Sequence, residues 1–241
     1  MKSSARGVAE QSPEGIGEAH RRFLSELSRH TSRDTIVIAT AHTARKVVED
    51  QAALNLAISD VDGLLMVVDN LDGPHLNLVL HGVGCQLEVA TKIVSLLRGR
   101  FESIRAMVPS CALSGMTLIA CACDAIMMPQ TAVLGPHDDR HHEPVSAEAA
   151  RDWISRYCEH PDRAQRAEGV GLAFAPTNGP RAPLAASRAK EHGLPVNIVP
   201  ERSSIGCNLE DIWQRVDTMM REHSLVRIID CQRGPIYSVK G

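Results

Sequence analysis

Apolar positions along the chain alternate between short continuous runs and helical stripes. Leu76–Leu80 (LNLVL) is an apolar run of strand length. A turn, HGVGC, follows, and then Glu88–Arg98, where Val89, Ile93, Leu96 and Leu97 share one helical side. Ile104–Val108 reads as a second strand. The turn PSCAL leads into a second helix from Ser114 to about Cys123, and Ala125–Met128 reads as a third strand. Strand–helix–strand–helix–strand with tight turns predicts parallel strands joined by right-handed crossovers.

The flanks are less regular. Ile16, Phe23, Leu24 and Leu27 fall on one helical face, and Thr35–Ala39 reads as a strand. Residues 44–59 fit either a helix or a long excursion. Asp60 is expected to cap a helix carrying Leu64, Leu65, Val67 and Val68. After Ala125–Met128 the pattern predicts a polar loop at His137–Glu143 and a helix at Ser146–Cys158. Residues 160–183 read as irregular, and the Arg and His side chains scattered through 151–166 as a solvated helix face. A helix at Leu184–His192 stopped by Gly193, and a strand at Leu194–Val199, come next. Asn208 is expected to cap an amphipathic helix bearing Leu209, Ile212, Trp213, Val216, Met219 and Met220. Two short strands near 225–230 and 236–239 end the chain. Neither an internal repeat nor a strong linker interrupts it. Residues 1–14 are therefore expected to form a disordered leader and residues 15–241 a single domain.

Composition narrows the classes. The 241 residues are 44% hydrophobic and 23% charged, with a formal net charge of −3, which gives no electrostatic footprint for nucleic acid or an anionic membrane. Aromatics at 3% leave few platforms for stacking bases. The N-terminus has no apolar signal region. The most apolar stretch, Ala112–Met128, is interrupted by Asp124 and is short for a membrane span. A cytoplasmic location is expected. The seven cysteines are an odd count, are expected to be reduced and mostly buried, and show no zinc-ribbon spacing.

Chemistry concentrates around Ser114, where a strand ends and a helix begins. A hydroxyl there sits in the positive field of the helix N-terminus, and nearby N–H groups can stabilise an oxyanion. Gly82 and Gly84 lie in the preceding strand-to-helix turn, at the same carboxyl edge of the sheet, where open α/β sheets place their sites. The plainer alternative is that Ser114 is a helix cap. Cys85, beside a helix start, is either a nucleophile or a buried thiol. His137, Asp138, Asp139, His141, His142 and Glu143 have the residue types of a divalent-metal site, but six adjacent polar residues rarely converge on one ion, so no metal is expected. No cofactor signature is present, and none is expected.

The segment LNLVLHGVGCQLEVATKIVSLLR resembles the LDLILHTPGG-plus-helix segment of the serine dehydrogenase proteinase family. AMVPSCALSGMTLIACACDAIMMPQTAVLGPHD resembles that family's serine-containing segment, which ends in Leu-Gly-Pro. SDVDGLLMVVDNL, AKEHGLPV and the tail extend the likeness more weakly. The family lies within the Clp-protease/crotonase superfamily, with signal peptide peptidases among its relatives. The resemblance implies an α/β fold, a Clp/crotonase-type spiral of βαβ units with a mostly parallel sheet flanked by helices, usually assembled into homo-oligomers. It implies that Ser114 matches the nucleophilic serine and that the amides at Gly84–Cys85 and at Gly115 match the oxyanion hole. A peptide or a small acyl compound is the implied substrate.

Several positions depart from the family pattern. Cys85 replaces the second glycine, which matters if that position needs a positive φ. Met116 is expected to intrude on a substrate channel, and no lysine lies between Lys92 and Lys190 to serve as a base. His137 is the remaining candidate base, with Asp138 or Asp139 to orient it; its alternative is a solvated loop histidine. His81, on the oxyanion turn, is expected to bond backbone. The leading reading is a serine hydrolase acting through a Ser114 acyl-enzyme. A catalytically lapsed binding or structural subunit and a non-covalent crotonase-like enzyme are the alternatives. Trp213 and Met219–Met220 are the expected apolar surface for assembly.

Overall fold

The computed structural model describes residues 16–42, 51–137, 145–175, 183–234 and 236–241. The anticipated leader, the metal-like positions after His137 and part of the ambiguous 44–59 stretch lie outside them.

The chain is an α/β protein with a mostly parallel sheet flanked by helices. Helix α1 (Ile16–Thr31) precedes β1 (Asp34–Thr40); α2 (Ile58–Val68), β2 (His75–Val83), α3 (Leu87–Arg100) and β3 (Ser103–Met107) follow. Then come β4 (Cys111–Leu113), α4 (Gly115–Ala122), β5 (Ala125–Met128), β6 (Val133–Gly135), α5 (Ala147–Tyr157) and α6 (Arg163–Ala173). The last elements are β7 (Leu184–Ala185), α7 (Ala186–Glu191), β8 (Val196–Ile198), α8 (Ser204–His223), β9 (Leu225–Cys231) and β10 (Tyr237–Lys240). The main sheet runs β10-β9-β1-β2-β3-β5-β8. Strands β1, β2, β3, β5 and β8 are parallel neighbours, whereas β9 and β10 add antiparallel at one edge.

Strand β2 shows why the core strands read as unbroken apolar runs: every residue after His75 is buried, because helices cover both faces. One face carries α1 and α8, with Leu24, Leu27, Ile212, Val216, Met219 and Met220 against Val37, Ala39 and Val79. The other carries α2 to α7. Helix α4 is buried on all sides, and a helix with that pattern belongs in a core. This accounts for the apolar stretch at 112–128. Among the described residues no helix is long and apolar enough to cross a membrane.

A second, small layer escaped the sequence pattern. Strand β2 bends at Gly82, whose φ of 106° no side chain adopts readily, and a Cβ there would collide with Thr40. Beyond the bend Gly82 and Val83 pair with Ala112 and Leu113 of β4, which pairs in turn with β6. What reads as the turn PSCAL is thus partly a strand.

Other expectations are corrected. Residues 163–173 are helical, and Arg166 there is buried rather than solvated. Helix α8 is capped by Ser203, whose hydroxyl accepts from the Gly206 N–H at 3.1 Å. Asn208 lies inside the helix, and its side-chain oxygen is 3.0 Å from His30 Nδ1. Asp60 is the third residue of α2, not its cap, although its carboxylate does accept from the Ala57 N–H at 2.7 Å. Met219 and Met220 are buried against the sheet, so they offer no surface for assembly. Exposed apolar side chains occur instead at Ile58, Leu65 and Met66 on α2, Leu172 on α6 and Ile198 on β8.

Candidate active site

The site is built where β2, β4 and β6 end. Ser114 joins β4 to α4 with φ 54° and ψ −126°, and its side chain makes no capping hydrogen bond. An N-cap residue normally has extended backbone, and its side-chain oxygen accepts a hydrogen bond from an N–H of the helix's first turn. A non-glycine residue in this region carries strain of about 1–3 kcal/mol, so the plain-cap alternative for Ser114 does not describe its geometry. The conformation is held from outside: the Ser114 N–H donates to the Gly135 carbonyl at 2.8 Å. Thr117 clamps the same glycine, its hydroxyl donating to Gly135 O at 3.0 Å and accepting from Gly135 N–H at 2.9 Å. Ser114 is half-buried.

The Gly84–Cys85 turn lies directly against the start of α4. A Cβ on Gly84 would lie 2.5 Å from the Gly115 nitrogen and 2.6 Å from the Leu113 carbonyl. A Cβ on Gly115 would lie 2.9 Å from both the nitrogen and the sulfur of Cys85. Both glycines therefore serve close backbone approach rather than unusual dihedrals; neither has a positive φ. The turn is fixed from behind, because the Leu56 N–H donates to Gly84 O at 3.0 Å. Leu56 is held in turn by Arg227, whose guanidinium binds Asn55 O at 2.9 Å and pairs with buried Asp60 at 3.1 Å.

Two departures from the family pattern place their side chains in the core. Cys85 does not occupy a positive φ, so its Cβ imposes no backbone strain. Its thiol points into the core and is pushed up to about 12, first by burial and then by Asp60, which removes it as a thiolate nucleophile. Met116 is fully buried in the same core.

The histidines divide. His81 is 1% exposed, stacks on Trp213 at 3.5 Å between ring centroids, and has its Nδ1 3.9 Å from Cys111 Sγ. It does not bond backbone as expected, and its Nε2 has no partner. Burial, followed by the nearby His42, lowers its pKa to about 3, so it is neutral at physiological pH. His137 is half-buried and lies two residues beyond Gly135, the residue that anchors Ser114. His42, two residues past the end of β1, meets His137 edge to face at 5.1 Å between centroids. Its place past the carboxyl end of a central strand is the signal that could have singled it out. Asp138 lies outside the described residues. Among the described residues no three His, Cys, Asp or Glu side chains converge as metal ligands.

A strained serine at a helix start, facing a glycine turn on the carboxyl edge of a mostly parallel sheet, defines a serine-proteinase-like class of site. The chain belongs to the family of ClpP-like SDH-type serine proteinases, whose family model matches residues 16–151. It is 43% identical over 124 residues to an uncharacterized protein of Methanocaldococcus jannaschii, a match covering 50% of this chain and 42% of that protein. The chain thus spans less than half the length of this relative. Among solved structures it resembles a probable enoyl-CoA hydratase/isomerase of Mycobacterium abscessus, with 13% identity, coverage of 78% of this chain and 72% of that one, and a TM-score of 0.45. It also resembles a monofunctional enoyl CoA isomerase of M. smegmatis, with 16% identity, coverage of 77% and 82%, and a TM-score of 0.45.

Proposed function

We propose that this protein is a serine hydrolase acting on a peptide or a small acyl compound through a Ser114 acyl-enzyme. The Ser114 hydroxyl attacks the carbonyl carbon while His137 takes its proton. The oxyanion is held by N–H groups of the Gly84–Cys85 turn and of Gly115. Collapse of the tetrahedral intermediate breaks the scissile bond, and the leaving group departs with the proton from His137. Water, deprotonated by the same histidine, then attacks the acyl-enzyme and releases the acid and the free serine. The observation that carries this reading is the conformation of Ser114: a serine that leaves its own helix uncapped, in a strained backbone, at the point where two chain segments bring amides together.

Labelling with a fluorophosphonate tests it without knowledge of the substrate. An adduct on Ser114 is expected, forming faster at pH 8 than at pH 6 because the base must be unprotonated to take the serine proton. His137→Ala should lower labelling by about 10²-fold or more. A folded protein with no adduct on Ser114 at any pH from 6 to 9 sinks the proposal.

A further inference from the structure

Helix α4 carries Ser114 at one end; at its other end lies a buried cation. Arg166, 2% exposed, reaches from α6 to the last carbonyls of α4. Its Nη1 donates to Cys121 O at 3.2 Å and to Cys123 O, and its Nη2 to Asp124 O at 3.0 Å. These partners are all backbone carbonyls, and its Nε has no partner. Arg98 adds a second cation, donating to Ala122 O and pairing with Asp124 at 2.9 Å. Asp124 balances one of the two guanidinium charges, which leaves a net positive charge at the carbonyl end of α4. Burying a guanidinium without a carboxylate is costly, and the negative pole of a helix is what offsets it here.

We propose that Arg166 is a positioning residue for the Ser114 site. By neutralising the carbonyl pole of α4, it leaves the amide pole unopposed at Ser114 and favours negative charge there. It also holds an eight-residue helix, too short to persist alone, in one place. This inference rests on reading Ser114 as the reacting group. The helix rises about 12 Å over its length, so a unit charge at its far end shifts a titration at its start by roughly half to one pH unit.

The test reads the field directly. In Ser114→Cys, the thiol at residue 114 is titrated by its rate of iodoacetamide alkylation, followed at that peptide by mass spectrometry. Adding Arg166→Met should raise the thiol pKa by about half to one unit, and Arg166→Lys should restore it. Adding Asp124→Asn, which removes a negative charge from the same end, should move it down. A merely structural role for Arg166 predicts no such opposition of sign. An unchanged titration in folded Arg166→Met overturns the proposal. If that variant does not fold, the Asp124→Asn result decides: a lowered pKa supports the proposal, and an unchanged or raised one overturns it. In the Ser114 protein, Arg166→Met should slow fluorophosphonate labelling by about three- to tenfold, the rate equivalent of the same shift. Failure of the unaltered protein to label, with the thiol shifts intact, removes the hydrolase reading and leaves the helix-field assignment standing.

Discussion

Among the described residues three serines stand immediately before helices, and they do not behave alike. Ser146 and Ser203 have extended backbones, with φ −74° and −76°, and each hydroxyl accepts a hydrogen bond at 3.1 Å from an N–H of the first turn. Ser114 has φ 54° and caps nothing. The first two show what a serine does when helix stability alone selects it, gaining about 1 kcal/mol from the cap. At Ser114 that gain is forgone and strain is added. The conformation persists because Gly135, Thr117 and the Gly84–Cys85 turn determine it from three sides. Strain that a surrounding structure holds in place is a pointer to function, whereas satisfied geometry is not.

The largest effect expected from this contrast is a double dissociation. Ser114→Ala should abolish fluorophosphonate labelling with little loss of stability, since it removes no cap. Ser203→Ala should leave labelling intact and cost about 1 kcal/mol in urea unfolding. Labelling that survives Ser114→Ala, measured as the adduct mass on intact protein, would place the nucleophile elsewhere. Next in size is Gly115→Ala. The new methyl group would meet backbone and sulfur of Cys85, which cannot swing aside as a flexible side chain does. A loss of about 3 kcal/mol, at the upper end for overpacking, is expected together with weakened labelling. Wild-type stability in this variant would show that the two segments are less closely apposed than the structure has them.

The histidines carry the same contrast into pH. His81 is locked under Trp213 and kept neutral, with its pKa lowered to about 3, whereas unfolded histidine takes up a proton near 6.5. The unfolded state therefore binds the extra proton first. Stability present above pH 6.5 should be lost as pH falls toward 3, by about 2 kcal/mol at pH 5. His20 on α1 and Asp230 on β9, buried 3.4 Å apart, do not add to this slope. Burial lowers His20 to about 4 and raises Asp230 to about 7, so the native pair holds one proton where the unfolded pair also holds one. Between pH 4 and 6.5 their contributions cancel. His81→Phe, which keeps a ring against Trp213, should flatten the stability profile between pH 7 and 5 by about 2 kcal/mol. An unaltered slope in urea titrations would assign it to other groups.

How much of this was legible beforehand follows from what each feature depends on. Strands β2, β3 and β5 and helices α3 and α4 could be read because burial on both sheet faces writes itself as apolar runs and stripes. The small β4-β6 layer could not, because three-residue strands have too few positions for a period, and the bend at Gly82 looks like any glycine turn. Helix α6 was hidden by its own composition: Gly169 and Gly171 lower its helix propensity, yet Gly169 sits against His192 and Gly171 against Arg151. Arg166 reads as surface in any sequence, since only the fold supplies the carbonyls that bury it. At the site, Ser114 and the glycine turn were recognisable by position at the carboxyl edge. The burial of Cys85 and Met116 was not, because a sequence does not say which way a side chain at a turn will face.

The smallest expected effect is the most direct measure of strain. Replacing Ser114 by glycine removes the Cβ that makes φ 54° costly and returns about 1–3 kcal/mol. Against this, glycine gains conformational freedom in the unfolded chain, a loss of about 0.4–1 kcal/mol. No cap is forfeited, because none exists. The balance is a net stabilisation of about 1 kcal/mol, read as a higher urea midpoint at unchanged slope. Ser203→Gly has no strain to release and loses a real cap, so it should destabilise by a few tenths of a kcal/mol. Opposite signs for the same substitution at two helix starts would measure what separates them. Destabilisation by Ser114→Gly of the same size as by Ser203→Gly would return Ser114 to the ordinary caps, and with it remove the observation on which the hydrolase reading stands.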